Sequence, residues 1–166
     1  MTTYHFYPMT NDHAYTISKW KYEEPYSLYG MDGSDEDISE LLNDEYYSVI
    51  NHENSLVGFI CKGNSARVSG GYGASIYNDS TIVDIGIGLD PDLTGGGRGQ
   101  EILVAGIRFL NEVYQVNDVQ LVVAEFNARA IKVYERIGFT RGINFKSNVS
   151  GQEMNFIVMN YSISKG

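Results

Sequence analysis

The sequence predicts an α+β domain in which helices cover both faces of a mixed sheet. Three observations predict it: short β segments come first, β and α segments then alternate, and neither an internal repeat nor a low-complexity linker interrupts the chain. The 166 residues are 43% apolar, enough for a sizeable core. We therefore expect one domain over residues 1–166.

The N-terminal elements are short. Residues 3–7 alternate as a strand does, and Thr10 or Asn11 can cap a helix that runs toward Trp20. A second helix is predicted to start near Ser34, because a capping hydroxyl is followed there by carboxylates in the first turn.

A hairpin and a bend are predicted next. Residues 45–50 and 56–61 read as two strands around a turn, with Cys61 buried in the second. The glycine-rich stretch 69–73 suits a bend or bulge before another strand.

The second half alternates strand and helix more clearly. Residues 82–89 predict a strand, and the near-continuous apolar run 119–124 is typical of a sheet centre covered on both faces. The other predicted elements are a helix with apolar positions from Ile102 to Leu110, a helix from an Asn127 cap to about Arg136 that stops at Gly138, and strands near 139–145 and 153–163.

Charge is distributed unevenly along the chain. The net charge is −9, and residues 1–60 alone hold two basic and eleven acidic side chains. Nucleic-acid binding requires clustered cations, so a DNA or RNA partner is not expected. The acidic first third is either a solvated face or a surface that attracts a cationic ligand.

Cysteine usage and hydropathy favour a cytoplasmic protein. The single Cys61 cannot form an internal disulfide. The N-terminus lacks a secretory pattern, and no apolar run approaches the roughly 20 residues of a membrane span, so no membrane partner is expected.

A glycine-rich turn links the strand 82–89 directly to a helix. Four glycines within residues 95–99 let the main chain approach a ligand, and the free N–H groups of the helix start suit a pyrophosphate. A flexible loop without a ligand is the alternative. A P-loop is excluded because Gln100 follows the last glycine, and the glycine spacing does not fit the dinucleotide fingerprint.

These residues resemble the GNAT family of N-acetyltransferases. Residues 94–99 match the glycines of its loop pattern Gln/Arg-x-x-Gly-x-Gly/Ala, with Thr94 in the first position. Residues 127–139 match Asn-x-x-Ala-x-x-x-Tyr-x-x-x-Gly-Phe, and residues 84–91 resemble the strand before the loop in the ribosomal-protein acetyltransferase branch. The resemblance is clear over residues 82–140.

The resemblance implies a fold and a reaction. The fold would be a mixed, mostly antiparallel sheet of six to seven strands with about four helices. The reaction would transfer an acetyl group directly from acetyl-CoA, without a metal, to a primary amine of a small cationic molecule, a protein N-terminus or a lysine. A non-catalytic acyl-CoA sensor on the same fold is the alternative, and a nucleotide-binding regulatory domain is a third possibility. Whether the chain forms a homodimer is left open.

The resemblance also implies which residues contact acetyl-CoA. The exposed strand segment before the loop would hold the pantetheine arm and the acetyl carbonyl, unless its residues are ordinary sheet residues. The implied contacts are Ile87, Gly88, Leu89, Thr94, Gly95, Gly96, Gly97, Arg98, Gly99, Gln100, Asn127, Ala130 and Tyr134.

Tyr134 is the predicted catalytic acid. It lies on the same helix face as Asn127 and Ala130, and a phenol with a pKa near 10 is protonated at neutral pH and can donate to a departing thiolate. The alternatives are that Tyr134 is a core aromatic and that Asn127 is only an N-cap.

Asp84 is the first candidate for the base, since it precedes the exposed strand segment. A structural hydrogen-bonding role is the alternative. Glu125 is the second candidate, with a turn role equally open.

The acceptor side is predicted in the acidic first third. An amine would be recruited by aromatic and acidic side chains there, assisted by the cluster 32–37. The candidate substrate-binding residues are Trp20, Tyr22, Glu23, Glu24 and Tyr26. No metal site is predicted, because the three histidines stand on separate elements without a neighbouring ligand.

Overall fold

A computed structural model describes residues 3–163, the side chain of Leu28 excepted. Seven strands and five α-helices lie within that range. The strands are β1 (Tyr4–Pro8), β2 (Tyr46–Asn51), β3 (Leu56–Lys62), β4 (Ile82–Leu89), β5 (Asp118–Ala124), β6 (Thr140–Val149) and β7 (Gln152–Ser162). The helices are α1 (Asn11–Ser18), α2 (Asp35–Leu41), α3 (Ser69–Gly73), α4 (Arg98–Tyr114) and α5 (Ala128–Ile137).

The strands form one sheet in the order β1-β2-β3-β4-β5-β7-β6. The pairs β1–β2, β2–β3, β5–β7 and β6–β7 are antiparallel, and β4 pairs with β5 in parallel. The predicted mixed, mostly antiparallel α+β fold is confirmed. The parallel register joins Ile82–Asp84 to Asp118–Gln120 and no further residues of β4.

The chain divides into two compact units. The first comprises residues 3–61 and 87–107, and the second comprises residues 62–86 and 108–163. Strand β4 and helix α4 each pass from one unit into the other. The prediction of a single domain stays a prediction.

In the first unit, the predicted helix starts are confirmed. The Thr10 hydroxyl accepts a hydrogen bond from the His13 N–H, and the Ser34 hydroxyl accepts one from the Asp37 N–H. The two faces of β3 carry different neighbours: α4 approaches Ile60 at Gly106, whereas the ring of Phe59 stacks on Trp20. Trp20 belongs to the segment after α1, so this segment covers the Phe59 face.

In the second unit, an apolar cluster fills the space over β5, β6 and β7. Its buried members are Ala124, Phe145, Phe156 and Val158, against which Val68, Ala74 and Ile76 pack. The segment 68–76 therefore covers this face of the sheet.

The predicted bend at residues 69–73 is wrong, because these residues form the short helix α3. Gly70 explains the difference. Its N–H donates to the Ser147 hydroxyl at 2.8 Å, and a Cβ at Gly70 would overlap the main chain of β6 at Lys146. A contact with a distant strand fixes the conformation, and the local pattern could not show it.

Candidate active site

The glycine-rich turn has the conformation that its sequence predicts. Gly95, Gly96 and Gly97 take φ of +86°, +65° and +81°, a region that other residues rarely adopt. A Cβ placed on Gly95, Gly97 or Gly99 would meet no atom within 4 Å. Three successive left-handed glycines thus keep an open main-chain surface at the start of the 17-residue helix α4.

Donors are available at this helix start. Within residues 3–163, the Gly99 and Gln100 amides have no backbone acceptor, and the Glu101 amide donates to the Gly97 carbonyl at 3.2 Å. Thr94, which stands where the family pattern has Gln or Arg, donates its hydroxyl to the Pro91 carbonyl at 3.1 Å. The Thr94 hydroxyl serves the turn, so the donors that the loop presents are its main-chain amides and the exposed Arg98 side chain.

The end of β4 is held by an aromatic side chain from the first third of the chain. The Tyr22 hydroxyl donates to the Leu89 carbonyl at 2.7 Å. Burial, and then the neighbouring Asp90 carboxylate, raises the pKa of the Tyr22 phenol above its ordinary value of 10.0, so it stays a hydrogen-bond donor. Tyr22, which was predicted to bind the amine substrate, therefore directs its hydroxyl at the strand that precedes the loop.

An aromatic wall stands over the same strand end. A Cβ at Gly88 would overlap the ring of Phe59, so that ring lies directly over the Gly88 main chain. Phe59 stacks on Trp20 at 6.4 Å and lies 5.7 Å from the ring of Tyr46. We call Trp20, Tyr46 and Phe59 the aromatic wall.

Asp84 lies in a buried polar network of the second unit. Arg67 Nε donates to Asp84 Oδ2 at 2.8 Å, and Gln120 Nε2 donates to Asp84 Oδ1 at 2.9 Å. Asn160 then donates to Gln120 Oε1 at 3.2 Å. Asp84, Gln120 and Asn160 are direct cross-strand neighbours, so the network crosses β4, β5 and β7 in one row.

The Arg67 end of this row is enclosed by aromatic rings. The guanidinium lies 4.7 Å from the ring of Tyr77 and 5.7 Å from that of Tyr72. Hydrogen bonds to Asp84 and then to Tyr72 raise the pKa of Arg67. Arg67 and Asp84 thus form an ion pair with the carboxylate buried and the cation largely covered.

Helix α5 carries the second predicted group. The Asn127 side chain accepts from the Ala130 N–H at 3.2 Å, which confirms its role as N-cap, and Gly138 ends the helix at φ +123°. The half-buried ring of Tyr134 lies 5.9 Å from the ring of Phe139. Contacts of Asn127, Ala130 and Tyr134 with acetyl-CoA stay predictions.

Two pairs of acidic side chains in the predicted acceptor region have different contacts. Glu23 and Glu24 are exposed, and Glu24 accepts a hydrogen bond from the Ser27 hydroxyl. Asp32 and Asp37 instead organise the start of α2, where hydrogen bonds with Asp37 and then with Ser34 lower the pKa of Asp32 to about 2. Glu23 and Glu24 are therefore available to a solute, as are the exposed Asp35 and Glu36.

Sequence reasoning missed most residues of these networks, among them Gln120, Arg67 and Phe59. Gln120 had a signal, because it is a polar residue inside an otherwise apolar strand. Arg67 and Phe59 had none, since Asp84 lies 17 residues from Arg67 and Gly88 lies 29 residues from Phe59. Glu125, the second candidate base, is exposed and accepts from Asn144 at 3.3 Å.

Three further observations concern the described residues. Within residues 3–163 there is no group of three His, Cys, Asp or Glu side chains that could hold a metal ion, and none of the helices found there is long and apolar enough to cross a membrane. A cavity of about 610 Å³ in the second unit, between Asp79, Asp118 and Tyr161, includes none of the predicted site residues.

Comparison with solved structures agrees with this fold. A GNAT-family acetyltransferase from Bacillus anthracis superimposes with a TM-score of 0.71 at 18% identity, covering 99% of each chain. Mutant forms of the spermidine/spermine N-acetyltransferase of Vibrio cholerae superimpose with a TM-score of 0.70 at 15% identity, covering 98% of this chain and 96% of theirs. At these identities the likeness shows the fold.

Sequence comparison gives closer but shorter matches. The mycothiol acetyltransferase of Salinispora tropica is 40% identical over 55 residues, which are 33% of this chain and 18% of that protein. The chain thus matches less than a fifth of that relative's length. The sequence model of the acetyltransferase (GNAT) family matches residues 12–139, which include the glycine-rich turn and the Asn127 motif. The chain therefore belongs to the acetyltransferase (GNAT) family.

Proposed function

We propose that this chain is an N-acetyltransferase that transfers the acetyl group of acetyl-CoA to a primary amine of a cationic small molecule or a protein. The observation that carries the proposal is the turn at Gly95–Gly97, with three consecutive positive φ values and open space above it. When bound, acetyl-CoA supplies the thioester from which the acetyl group is transferred.

The pyrophosphate would be held by main-chain amides between Gly95 and Gln100. Their fit rests on the Gly99 and Gln100 amides, which have no backbone acceptor within residues 3–163, and on the open space at Gly95, Gly97 and Gly99. A helix start favours an anion through its dipole and its free N–H groups. Ile87, Gly88 and Leu89 would hold the pantetheine arm and the acetyl carbonyl through their main chain.

Tyr134 is the proposed acid. A half-buried phenol is protonated at neutral pH and can give its proton to a thiolate as it departs. Asn127 fixes the first turn of the same helix and thereby the position of Tyr134 two turns later.

Asp84, the first candidate for the base, is already bound by two side chains. Both carboxylate oxygens of Asp84 already accept hydrogen bonds, from Arg67 and from Gln120, which favours a positioning role over proton abstraction. Its role as base stays a prediction. An α-amino acceptor, with a pKa of about 7.7 to 8.0, needs little help from a base at neutral pH.

The acceptor would be recruited by Glu23 and Glu24 and would meet the aromatic wall, because carboxylates attract a cation and aromatic faces bind it. The Vibrio cholerae neighbour is named for polyamines, which are amines of this class. Replacing both glutamates by glutamine should raise the KM of a polyamine acceptor several-fold at low salt and flatten its salt dependence. Glu112→Gln, an exposed carboxylate on α4, is the control that should leave the KM unchanged.

The direct test is release of free thiol from acetyl-CoA with a panel of polyamines, amino acids and peptides. Tyr134→Phe should reduce kcat on a good acceptor about a hundredfold, as expected for loss of a general acid, whereas Tyr7→Phe on exposed β1 should not. Equal activity of Tyr134→Phe and wild type would contradict the assignment of the acid.

The sensor alternative makes a different prediction. It requires saturable binding of CoA, measured by calorimetry, with no turnover on any amine of the panel. A thermal shift with ATP or NAD but not with CoA would instead indicate a nucleotide-binding domain.

A further inference from the structure

The last peptide of β4 is held at both of its polar atoms. Between Leu89 and Asp90, the carbonyl oxygen accepts from the Tyr22 hydroxyl at 2.7 Å, and the N–H donates to the Val57 carbonyl at 2.9 Å. One partner comes from the segment after α1 and the other from β3. Rotation of this peptide would break both hydrogen bonds, so the main chain is fixed where β4 ends.

The preceding peptide, between Gly88 and Leu89, has a defined direction. If Gly58 had a Cβ, the Gly88 oxygen would lie 2.5 Å from it and the Gly88 carbonyl carbon 3.6 Å from it. The carbonyl bond therefore points at Gly58 on β3. In a trans peptide the N–H points the opposite way, so the Leu89 N–H is directed away from β3.

The same geometry places Tyr22 beside that N–H. In an extended strand the N–H and C=O of one residue point to the same side, so the Tyr22 hydroxyl approaches Leu89 from the side to which its N–H is directed. The parallel register with β5 ended five residues earlier, at Asp84. The Leu89 N–H is thus the strand-end donor whose direction Tyr22 controls.

We propose that Tyr22 is a positioning residue that holds the Leu89 N–H in the orientation needed to donate to the carbonyl oxygen of a bound acetyl group. This inference rests on the proposed function. The phenol accomplishes this by fixing the Leu89 carbonyl, because the φ and ψ angles of Leu89 link the two groups. The ring of Phe59 covers Gly88 and so restrains the main chain directly before Leu89.

Several features suit Tyr22 to this task. Its hydroxyl stays protonated, since burial disfavours the phenolate. Without Tyr22 the Leu89 carbonyl would lose its partner at the end of the strand, where an unmade hydrogen bond of a buried group is costly. A catalytic donor displaced by even about 1 Å can lose much of its effect on the rate.

The test is isotope-edited infrared spectroscopy of acetyl-CoA labelled with carbon-13 at the acetyl carbonyl. A hydrogen bond from Leu89 should move the carbonyl band of the bound molecule to lower frequency in the wild type. Tyr22→Phe keeps the ring and removes the hydroxyl, and it should return the band most of the way to its position in solution. Tyr15→Phe, which removes an exposed hydroxyl on α1, should leave the wild-type band.

Two further measurements on the same proteins complete the test. The Kd for CoA without an acetyl group should be unchanged in Tyr22→Phe. The kcat should fall about tenfold, with little change in the KM for acetyl-CoA. This loss of kcat is smaller than the hundred- to thousandfold loss expected when an oxyanion donor is removed outright. An unshifted band in Tyr22→Phe relative to wild type would overturn the inference. If Tyr22→Phe returned the band toward its solution position but also bound CoA more weakly, the role of Tyr22 would be merely structural. That result would overturn the inference as well.

The outcome separates this inference from the proposed function. A wild type that shifts the carbonyl band yet acetylates no amine of the panel would contradict the proposed transferase activity, while the band in Tyr22→Phe would still decide the role of Tyr22. A wild type that does not bind acetyl-CoA would overturn both.

Discussion

The two ends of β4 are held in different ways. At its start, Asp84 is buried, paired in register with β5, and bound by Arg67 and Gln120. At its finish, Leu89 lies beyond that register and is held by one phenol and one backbone hydrogen bond, from Asp90 to Val57. The first end is fixed by a charged network, and the second by a few neutral contacts.

The difference shows how one strand can be both rigid and chemically available. At Asp84, the Arg67 guanidinium and the neutral Gln120 amide each donate to one carboxylate oxygen, so this end has little capacity left for a ligand. At the other end, the Phe59 ring covers the Gly88 main chain and the Tyr22 hydroxyl holds the Leu89 carbonyl. The Leu89 N–H is the group that remains available to a ligand. We infer that stability is concentrated at the first end and function at the second.

The largest expected effect comes from breaking the charged end. Asp84→Ala would leave the Arg67 guanidinium without its carboxylate in a largely covered position, and should lower the free energy of unfolding by about 3–5 kcal/mol, measured by urea denaturation. Glu135→Ala removes an exposed partner of Arg141 and should lower it by no more than about 1 kcal/mol. Similar losses in the two variants would contradict the comparison.

Asp84→Asn tests whether Asp84 positions its neighbours or acts as the catalytic base. A positioning role predicts lost stability with kcat reduced at every pH alike, whereas a base predicts a loss that hydroxide partly restores as the pH rises.

A smaller effect is expected at the aromatic wall. Gly88→Ala would push the Phe59 ring aside and should lower the free energy of unfolding by about 1–3 kcal/mol. The double variant with Phe59→Ala should lose less than the sum of the two single losses, because the overlap is removed. Gly73→Ala, where a Cβ meets no atom within 4 Å, should be neutral or slightly stabilising. Additive losses at Gly88 and Phe59 would show that the ring does not restrain the strand.

A still smaller effect concerns alkaline pH. The folded protein keeps the proton of Tyr22 to a higher pH than the unfolded chain, whose tyrosines lose theirs near 10.0. Below pH 10 the protonated phenol contributes its full stabilisation. Above pH 10 the unfolded state binds fewer protons than the folded state, so the free energy of unfolding falls by up to about 1.4 kcal/mol for each pH unit. The difference in unfolding free energy between wild type and Tyr22→Phe should therefore shrink above pH 10. A constant difference would mean that the phenol is not held protonated.

Much of the fold could be predicted from the sequence because its signals are local. The caps Thr10, Ser34 and Asn127 each bond a main-chain N–H within three residues, and the strand 82–89 has the predicted bounds. The glycine-rich turn was also recognisable, since positive φ is a property of single residues.

What could not be predicted depends on distant contacts. Helix α3 forms where a bend was expected, because Gly70 fits against β6, 77 residues along the chain. Tyr22 was expected to meet an acceptor, and only the folded chain shows its hydroxyl on Leu89, 67 residues away. Such pairings leave no periodicity that a sequence pattern could reveal.

The glycine-rich turn before α4 is the proposed binding site of acetyl-CoA. Calorimetric titration of acetyl-CoA into Gly97→Val and Gly151→Val tests it most directly. The two glycines have nearly the same φ, +81° and +83°, and at each a Cβ meets no atom within 4 Å, so the backbone strain introduced should be alike. We expect wild-type affinity in Gly151→Val and at least tenfold weaker binding in Gly97→Val. Equal affinity in the two variants would contradict it.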